Sequence, residues 1–238
     1  MLVFAPHPDD AELCCGGLLL KARRAGLQTA VVDVTRGELA TRGSVAIRRK
    51  ETAAAAKLLG LAARENLAEP DGYLRDTESL RAGLVRMLRK YRPQVLLAPH
   101  WEDKHPDHAA VGQAAIYAAF LAGVPKYDPR SAKGIVAAGR LPYRPQRVLH
   151  YNNRYAIRAD VVVDISEVFE DKVALARCYA SQFGPGKSAG PQTRLSSPHF
   201  FNWLRGLHCF YGSQAGVAFG EAYCVKNPLC VNEVRFLL

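Results

Sequence analysis

Short, unbroken apolar runs alternate along the chain with longer stretches in which apolar residues recur at helical spacing. Leu2–Ala5, the Ala-Val-Val-Asp-Val run within Gln28–Thr35, and Val95–Pro99 read as strands buried on both faces. Between them, Ala11–Arg24 places Leu13, Leu18, Leu19 and Leu20 on a helix that closes with Lys21, Arg23 and Arg24 ahead of Gly26. Ile47–Gly60 and Thr77–Tyr91 read as two more helices, and another runs from His108 to about Ala122. Asn66–Gly72 holds a short strand end and a turn. Further on, Gln146–Tyr151 and Asp160–Ile165 are expected strands. A helix capped by Ser166 should run to about Ser181, and a last one over Phe200–Tyr211.

Strands that alternate with helices imply an α/β fold: a single domain over residues 1–238 with a Rossmann-like, mostly parallel sheet flanked by helices. Two segments interrupt the rhythm. Tyr127–Pro145 is a proline- and glycine-rich excursion, and residues 184–198 are expected to form a mobile lid loop. The Gly-Lys-Ser188 within that loop is no phosphate loop, because Ser181 stands where the pattern needs glycine and no strand leads into it.

The runs of the pattern fix where chemistry can sit. Met1-Leu-Val-Phe-Ala-Pro-His-Pro-Asp-Asp10 turns from the first strand into the first helix, and its turn carries His7, Asp9 and Asp10 where a nucleotide-binding turn carries glycines. His105-Pro-Asp-His108 lies at the equivalent turn after Val95–Pro99, so both motifs fall on the carboxyl edge of the expected sheet. One imidazole and one carboxylate are too few ligands for zinc, and His105 and His108, three apart at a helix start, supply what is missing. A site with two His and one Asp keeps a position open for water, whose pKa zinc lowers to about 7. A carboxylate beside such a water is placed to take its proton, which suits hydrolysis of an amide or ester. Helix capping is the alternative role for the Asp pair, and helix packing the expected role of Cys14.

Composition adds two constraints. A net charge of +10 and an isoelectric point near 9.5 admit an anionic small substrate, but the basic residues are scattered and no nucleic-acid recognition module is present. Arg42, Arg48, Arg49 and Lys50 gather on a loop and the first turn of a helix, where cations require solvent or an anionic partner. From Lys172 to Gly220 there is no Asp or Glu, while Lys172, Arg177, Lys187, Arg194 and Arg205 are present, as a solvated basic face or one turned toward an anion. Cys14, Cys15, Cys178, Cys209, Cys224 and Cys230 lack CxxC spacing and are expected as free thiols. No apolar run reaches membrane-spanning length, and no signal-peptide pattern opens the chain, so a soluble, cytoplasmic protein is expected.

With these residues in view, Ala-Pro-His-Pro-Asp-Asp-Ala-Glu12 together with His-Pro-Asp-His108 resembles the LmbE/PIG-L family of zinc-dependent N-acetylglucosaminyl deacetylases. The resemblance implies that His7, Asp10 and His108 bind zinc, and a mixed His/carboxylate site accepts other divalent metals such as Fe2+ as well. It also implies that Asp9 is the general base, that His105 stabilises the oxyanion or acts as acid, that Asp107 is the partner of His105, and that Arg48 contacts substrate. Within the family, Thr-Arg-Gly-Glu-Leu-Ala-Thr-Arg-Gly-Ser44, Asn-Leu-Ala-Glu-Pro-Asp-Gly72 and Tyr-Ala-Ser-Gln-Phe-Gly184 are similar to the bacillithiol-biosynthesis deacetylases. That likeness implies N-acetylglucosaminyl malate as substrate, with Arg42 and Arg48 facing its carboxylates, and a homo-oligomer. Ala40 and Lys104 depart from that subgroup, where Gly and Arg are expected. Two other readings remain: a deacetylase of another N-acetylglucosamine conjugate, such as a chitooligosaccharide, and a basic, non-catalytic anion- or nucleic-acid-binding module.

Overall fold

A computed structural model describes residues 1–128, 141–152, 156–183 and 190–229. Strands β1 (Leu2–Ala5), β2 (Ala30–Asp33), β3 (Ala63–Asn66), β4 (Val95–Pro99), β5 (Arg147–Tyr151), β6 (Val161–Asp164) and β7 (Gly220–Cys224) form one sheet in the order β3-β2-β1-β4-β5-β7-β6. The first five strands run parallel, and β7 inserts antiparallel to both β5 and β6. Helices α1 (Asp10–Arg24), α2 (Val45–Leu59), α3 (Glu78–Tyr91), α4 (Pro106–Leu121), α5 (Phe169–Arg177), α6 (Ala180–Phe183) and α7 (Phe200–Ala215) complete the described elements. The expected mostly parallel α/β sheet is present.

Strand pleating divides the core in two. Val3, Ala5, Val31 and Leu97 face α1, α5 and α7 on one side, whereas Leu2, Phe4, Val32 and Leu96 face α3 and α4 on the other. The central strands are buried on both faces, which is why they read as continuous apolar runs. The chain leaves β1 toward β2 and β3, then returns to β4 on the opposite side. The gap above β1 and β4 is therefore the topological switch point of the sheet.

Three details differ from the sequence reading. Strand β7 was not expected, because Gly220-Glu-Ala-Tyr-Cys224 offers no apolar run and buries a glutamate. The Ser166 hydroxyl does not cap the following helix: Asp164 Oδ1 accepts from the Ser166 N–H (2.9 Å), residues Ser166–Val168 form a 3-10 turn, and α5 and α6 are separate. The last helix extends to Ala215. Of the expected lid loop, residues 184–189 lie outside the described residues, as do Lys187 and Cys230. The other five cysteines are free.

The acid-free stretch is not a single basic face. Lys172 is fully buried and pairs with Glu221, Arg205 pairs with Glu170, and Arg177 stacks on Phe201. Glu221 also accepts from the backbone N–H groups of Gly17 and Leu18, 2.7 Å each, locking β7 to the helix that begins at the first motif. A Cβ at Gly17 would lie 2.5 Å from Ile165 Cγ2 and 2.9 Å from Glu221 Oε1, so this approach requires glycine. Lys172→Met strands a buried carboxylate and is expected to cost about 3–5 kcal/mol in urea unfolding. Adding Glu221→Gln should recover part of that loss, and an unchanged midpoint for the single variant would show that the pair is energetically neutral.

Candidate active site and metal centre

The two motif turns leave adjacent parallel strands, with Leu2 in register with Leu96, and converge at the switch point. His7, His105 and His108 gather there, with ring centroids 4.8 Å apart for His7–His105 and His105–His108, and 5.4 Å for His7–His108. Helix α4 starts with Pro106 at its first turn, and its cap residue His105 accepts the Asp107 N–H on Nδ1 at 3.2 Å. That bond puts the proton of a neutral His105 on Nε2.

Asp10 occupies the centre of the cluster. Its Oδ2 accepts from the His7 N–H (2.9 Å) and lies 3.3 Å from His7 Nδ1 and 3.2 Å from His108 Nε2. His108 Nε2 is buried and makes no aligned hydrogen bond despite that proximity. Two donors that approach one another off-axis in this way point at a common third position. Metal–donor distances of about 2.0–2.1 Å in a tetrahedral site separate adjacent donors by about 3.3 Å, which matches these contacts. Donor atoms of His7, Asp10 and His108 lie within 4.8 Å of one another, and those of His7, His105 and Asp107 form a second such group.

The outer nitrogens of both imidazoles are held by carboxylates. His7 Nε2 lies 3.0 Å from Asp71 Oδ1 and 3.1 Å from Asp107 Oδ2, and His108 Nδ1 lies 3.3 Å from Asp103 Oδ2. A carboxylate behind each imidazole is the arrangement that orients metal-binding histidines. Burial alone would lower the pKa of His7 and of His108, but the surrounding carboxylates outweigh it and raise both. Burial would likewise raise Asp10, yet His108 and His7 hold it well below the usual carboxylate range. The site favours positive charge at its centre, so the residues fit a divalent cation.

Asp9 stands apart from this arrangement. It precedes α1 with a φ of 121°, a region that a non-glycine residue enters only under strain, and its side chain does not cap the helix. Its carboxylate instead pairs with Arg48 Nη1 at 3.1 Å, while Arg48 Nη2 donates to the Pro8 carbonyl. Burial pushes the Asp9 carboxyl up to about 6 against the opposing pull of Arg48.

The other expected site residues lie as follows in the fold. Arg48 is buried and held by Asp9, so the anionic partner required at the start of α2 is internal. Arg42 is also buried, with its carbonyl accepting from Gln182 Nε2 at 2.7 Å, and it is not among the residues lining the cavity described below. The Asp107 carboxylate, expected behind His105, is bonded to His7 and accepts from the N–H groups of Gly72 (2.7 Å) and Leu74 (3.1 Å). The Asp107 backbone N–H donates to His105 Nδ1, and a carboxylate oxygen of Asp107 lies within 4.8 Å of a His105 ring nitrogen. Asp71 and Asp103 also belong to the site, and neither carries a metal-site signal in the sequence. Asp71 sits in Pro70-Asp-Gly72, a turn whose glycine has a φ of 76°, and turn chemistry alone accounted for it.

A cavity of about 480 Å3 opens onto the cluster. His7, Asp9, Asp10, Asp71 and His105 line its polar end, and Leu39, Leu195, Phe200, Trp203 and Leu204 supply apolar wall. Its size lies within the roughly 300–1,000 Å3 of small-molecule sites.

Residues 2–119 match the family model described as PIG-L, GlcNAc-PI de-N-acetylase. A diacetylchitobiose deacetylase from Thermococcus kodakarensis is 30% identical over 233 residues, covering 93% of this chain and 80% of the relative. The chain belongs to the PIG-L/LmbE family. A crystal structure of a conserved protein from Thermus thermophilus superposes with a TM-score of 0.82 at 35% identity, covering 97% of this chain and 96% of that one. A probable N-acetyl-alpha-D-glucosaminyl L-malate deacetylase from Bacillus cereus is 26% identical over 201 residues, covering 76% of this chain and 83% of the relative. Both motif turns lie within the segment that matches the PIG-L family model. Among the described residues, no helix is long and apolar enough to cross a membrane.

Proposed function

We infer that this protein is a metal-dependent hydrolase that removes acetate from an N-acetylglucosamine conjugate, with N-acetylglucosaminyl malate as the substrate and bacillithiol biosynthesis as the setting. The observation that carries the reaction class is the Asp10-centred cluster, with Asp9 beside it on a strained turn and a cavity of ligand size above it. His7, Asp10 and His108 would hold Zn2+ or a similar divalent ion such as Fe2+, which supplies an acidified water and polarises a carbonyl. The amino-sugar relatives support the substrate class, and the malate deacetylase relatives support the conjugate.

The chain's own residues account for the proton traffic. The Asp9 carboxylate takes a proton from the water whose oxygen bonds to the acetyl carbon, and Arg48 keeps that carboxylate pointed at the site. His105, whose Nδ1 is already engaged, presents Nε2 for donation to the developing oxyanion. Asp9 then returns the proton to the amide nitrogen as the C–N bond breaks, so acetate and a free amine leave. Asp71, Asp103 and Asp107 hold the imidazoles and are positioning residues. Arg48 also lines the cavity, where its guanidinium is engaged by Asp9 and the Pro8 carbonyl, and Arg42 supports the loop behind it.

A direct comparison of acetate release from N-acetylglucosaminyl malate, diacetylchitobiose and free N-acetylglucosamine tests this reading. The malate conjugate should be the best substrate by kcat/KM. A preference for diacetylchitobiose would keep the chemistry and replace the substrate.

A further inference from the structure

Resting on the deacetylase reading, the geometry points to Arg194 and Trp203 as the subsite that selects the group attached to the amino sugar, with Arg194 as the contact for a carboxylate on that group. Two arginines line the cavity among the described residues, Arg48 and Arg194. Arg48 neutralises Asp9 and is held by the Pro8 carbonyl, so a substrate carboxylate would have to compete with Asp9 for it. The same end of the cavity carries His7, Asp9, Asp10 and His105, so it is the end that takes the acetamido group. A carboxylated aglycone is therefore directed away from the cluster, toward the wall built by residues 193–204.

That wall is organised for the purpose. Thr193 and Ser196 bond reciprocally, with the Thr193 N–H donating to Ser196 Oγ (2.9 Å) and the Ser196 N–H to Thr193 Oγ1 (3.2 Å). The turn so formed carries Arg194 and leads toward α7. Arg194 Cζ lies 4.2 Å from the centroid of the Trp203 ring, which is itself packed beside Phe200. A guanidinium stacked on an indole directs its N–H groups along its own plane, the geometry that matches a carboxylate in two-point contact. Trp203 offers an apolar ring to a sugar or an aliphatic linker beside it. Arg194 is exposed to solvent while lining the cavity, so it stands where an aglycone leaves the buried cluster.

The test is a substrate comparison on metal-loaded protein. Relative to wild type, Arg194→Gln should lower kcat/KM for N-acetylglucosaminyl malate about 10- to 100-fold, the worth of a lost charge-assisted contact, and through KM. Turnover of diacetylchitobiose should stay within about threefold, because a neutral second sugar makes no ion pair. Arg194→Lys should recover part of the loss, since charge is retained and the planar fork is not. Raising ionic strength should raise KM for the malate conjugate more than for diacetylchitobiose. Equal losses on both substrates, or no loss on either, would overturn the assignment while leaving the deacetylase reading intact. Wild-type activity on diacetylchitobiose with none on the malate conjugate would overturn it as well. Metal-loaded wild type that releases acetate from none of the three substrates would remove the deacetylase reading and this subsite with it.

Discussion

Asp9→Asn is expected to retain bound metal and lose about 100- to 10,000-fold in kcat, the range that a positioned general base contributes. The amide occupies the same volume but cannot accept the water proton. The substitution also has a structural cost that must be separated from catalysis. Asp9 and Arg48 are both buried, and neutralising the acid leaves the guanidinium with the Pro8 carbonyl as its remaining close acceptor from this turn. Removing one partner of such a pair costs about 3–5 kcal/mol. In a chain of this length each kcal/mol lowers Tm by about 2–4 °C, so a fall of several degrees is expected. The double variant Asp9→Asn/Arg48→Met should regain most of that stability without regaining turnover. Recovery of turnover in the double variant would mean that Asp9 serves the fold rather than the reaction.

His108→Ala should lose metal affinity by more than about 100-fold, because even outer partners of metal ligands are worth 10- to 100-fold and His108 is proposed as a ligand itself. Asp10→Asn should behave similarly, since Asp10 Oδ2 is the atom both imidazoles approach. These variants are opposite in kind to Asp9→Asn. Activity in His108→Ala should return in part as metal concentration is raised, whereas in Asp9→Asn it should not. Metal titration monitored by calorimetry, with turnover measured on the same samples, separates the two classes. Equal metal loss in Asp9→Asn and Asp10→Asn would contradict the division of roles between neighbouring carboxylates.

Much of the site was legible because its signals are local. Two turns at strand ends carry His and Asp in place of glycine, and the strand–helix order puts both turns on one sheet edge. The structure brings them together on adjacent strands, with β1 paired to β4. What stayed hidden depends on long-range burial. Arg48 reads as a cation at a helix start, and only the path of α2 behind the first motif turns it onto Asp9, 39 positions away. Asp71 reads as a turn former, and its approach to His7 follows from the packing of the residue 70–74 loop over α4.

Strand β7 was illegible for a related reason. Its second residue, Glu221, is charged, which argues against a buried strand until Lys172, the Gly17 and Leu18 amides and Tyr223 are known to surround it. The apparent basic bias from Lys172 to Gly220 dissolves by the same logic. Among the described residues, Lys172 is spent on Glu221, Arg205 on Glu170 and Arg177 on the Phe201 ring, partners drawn from several elements.

The measurement that tests the central claim most directly is metal content and acetate release on one sample of wild-type protein, stripped with a chelator and reloaded stepwise with zinc. The account predicts that stripped protein releases no acetate from N-acetylglucosaminyl malate or diacetylchitobiose, and that activity rises to a plateau at one equivalent of metal per chain. Undiminished release from the stripped protein, or stoichiometric metal with no release from either substrate, would contradict it.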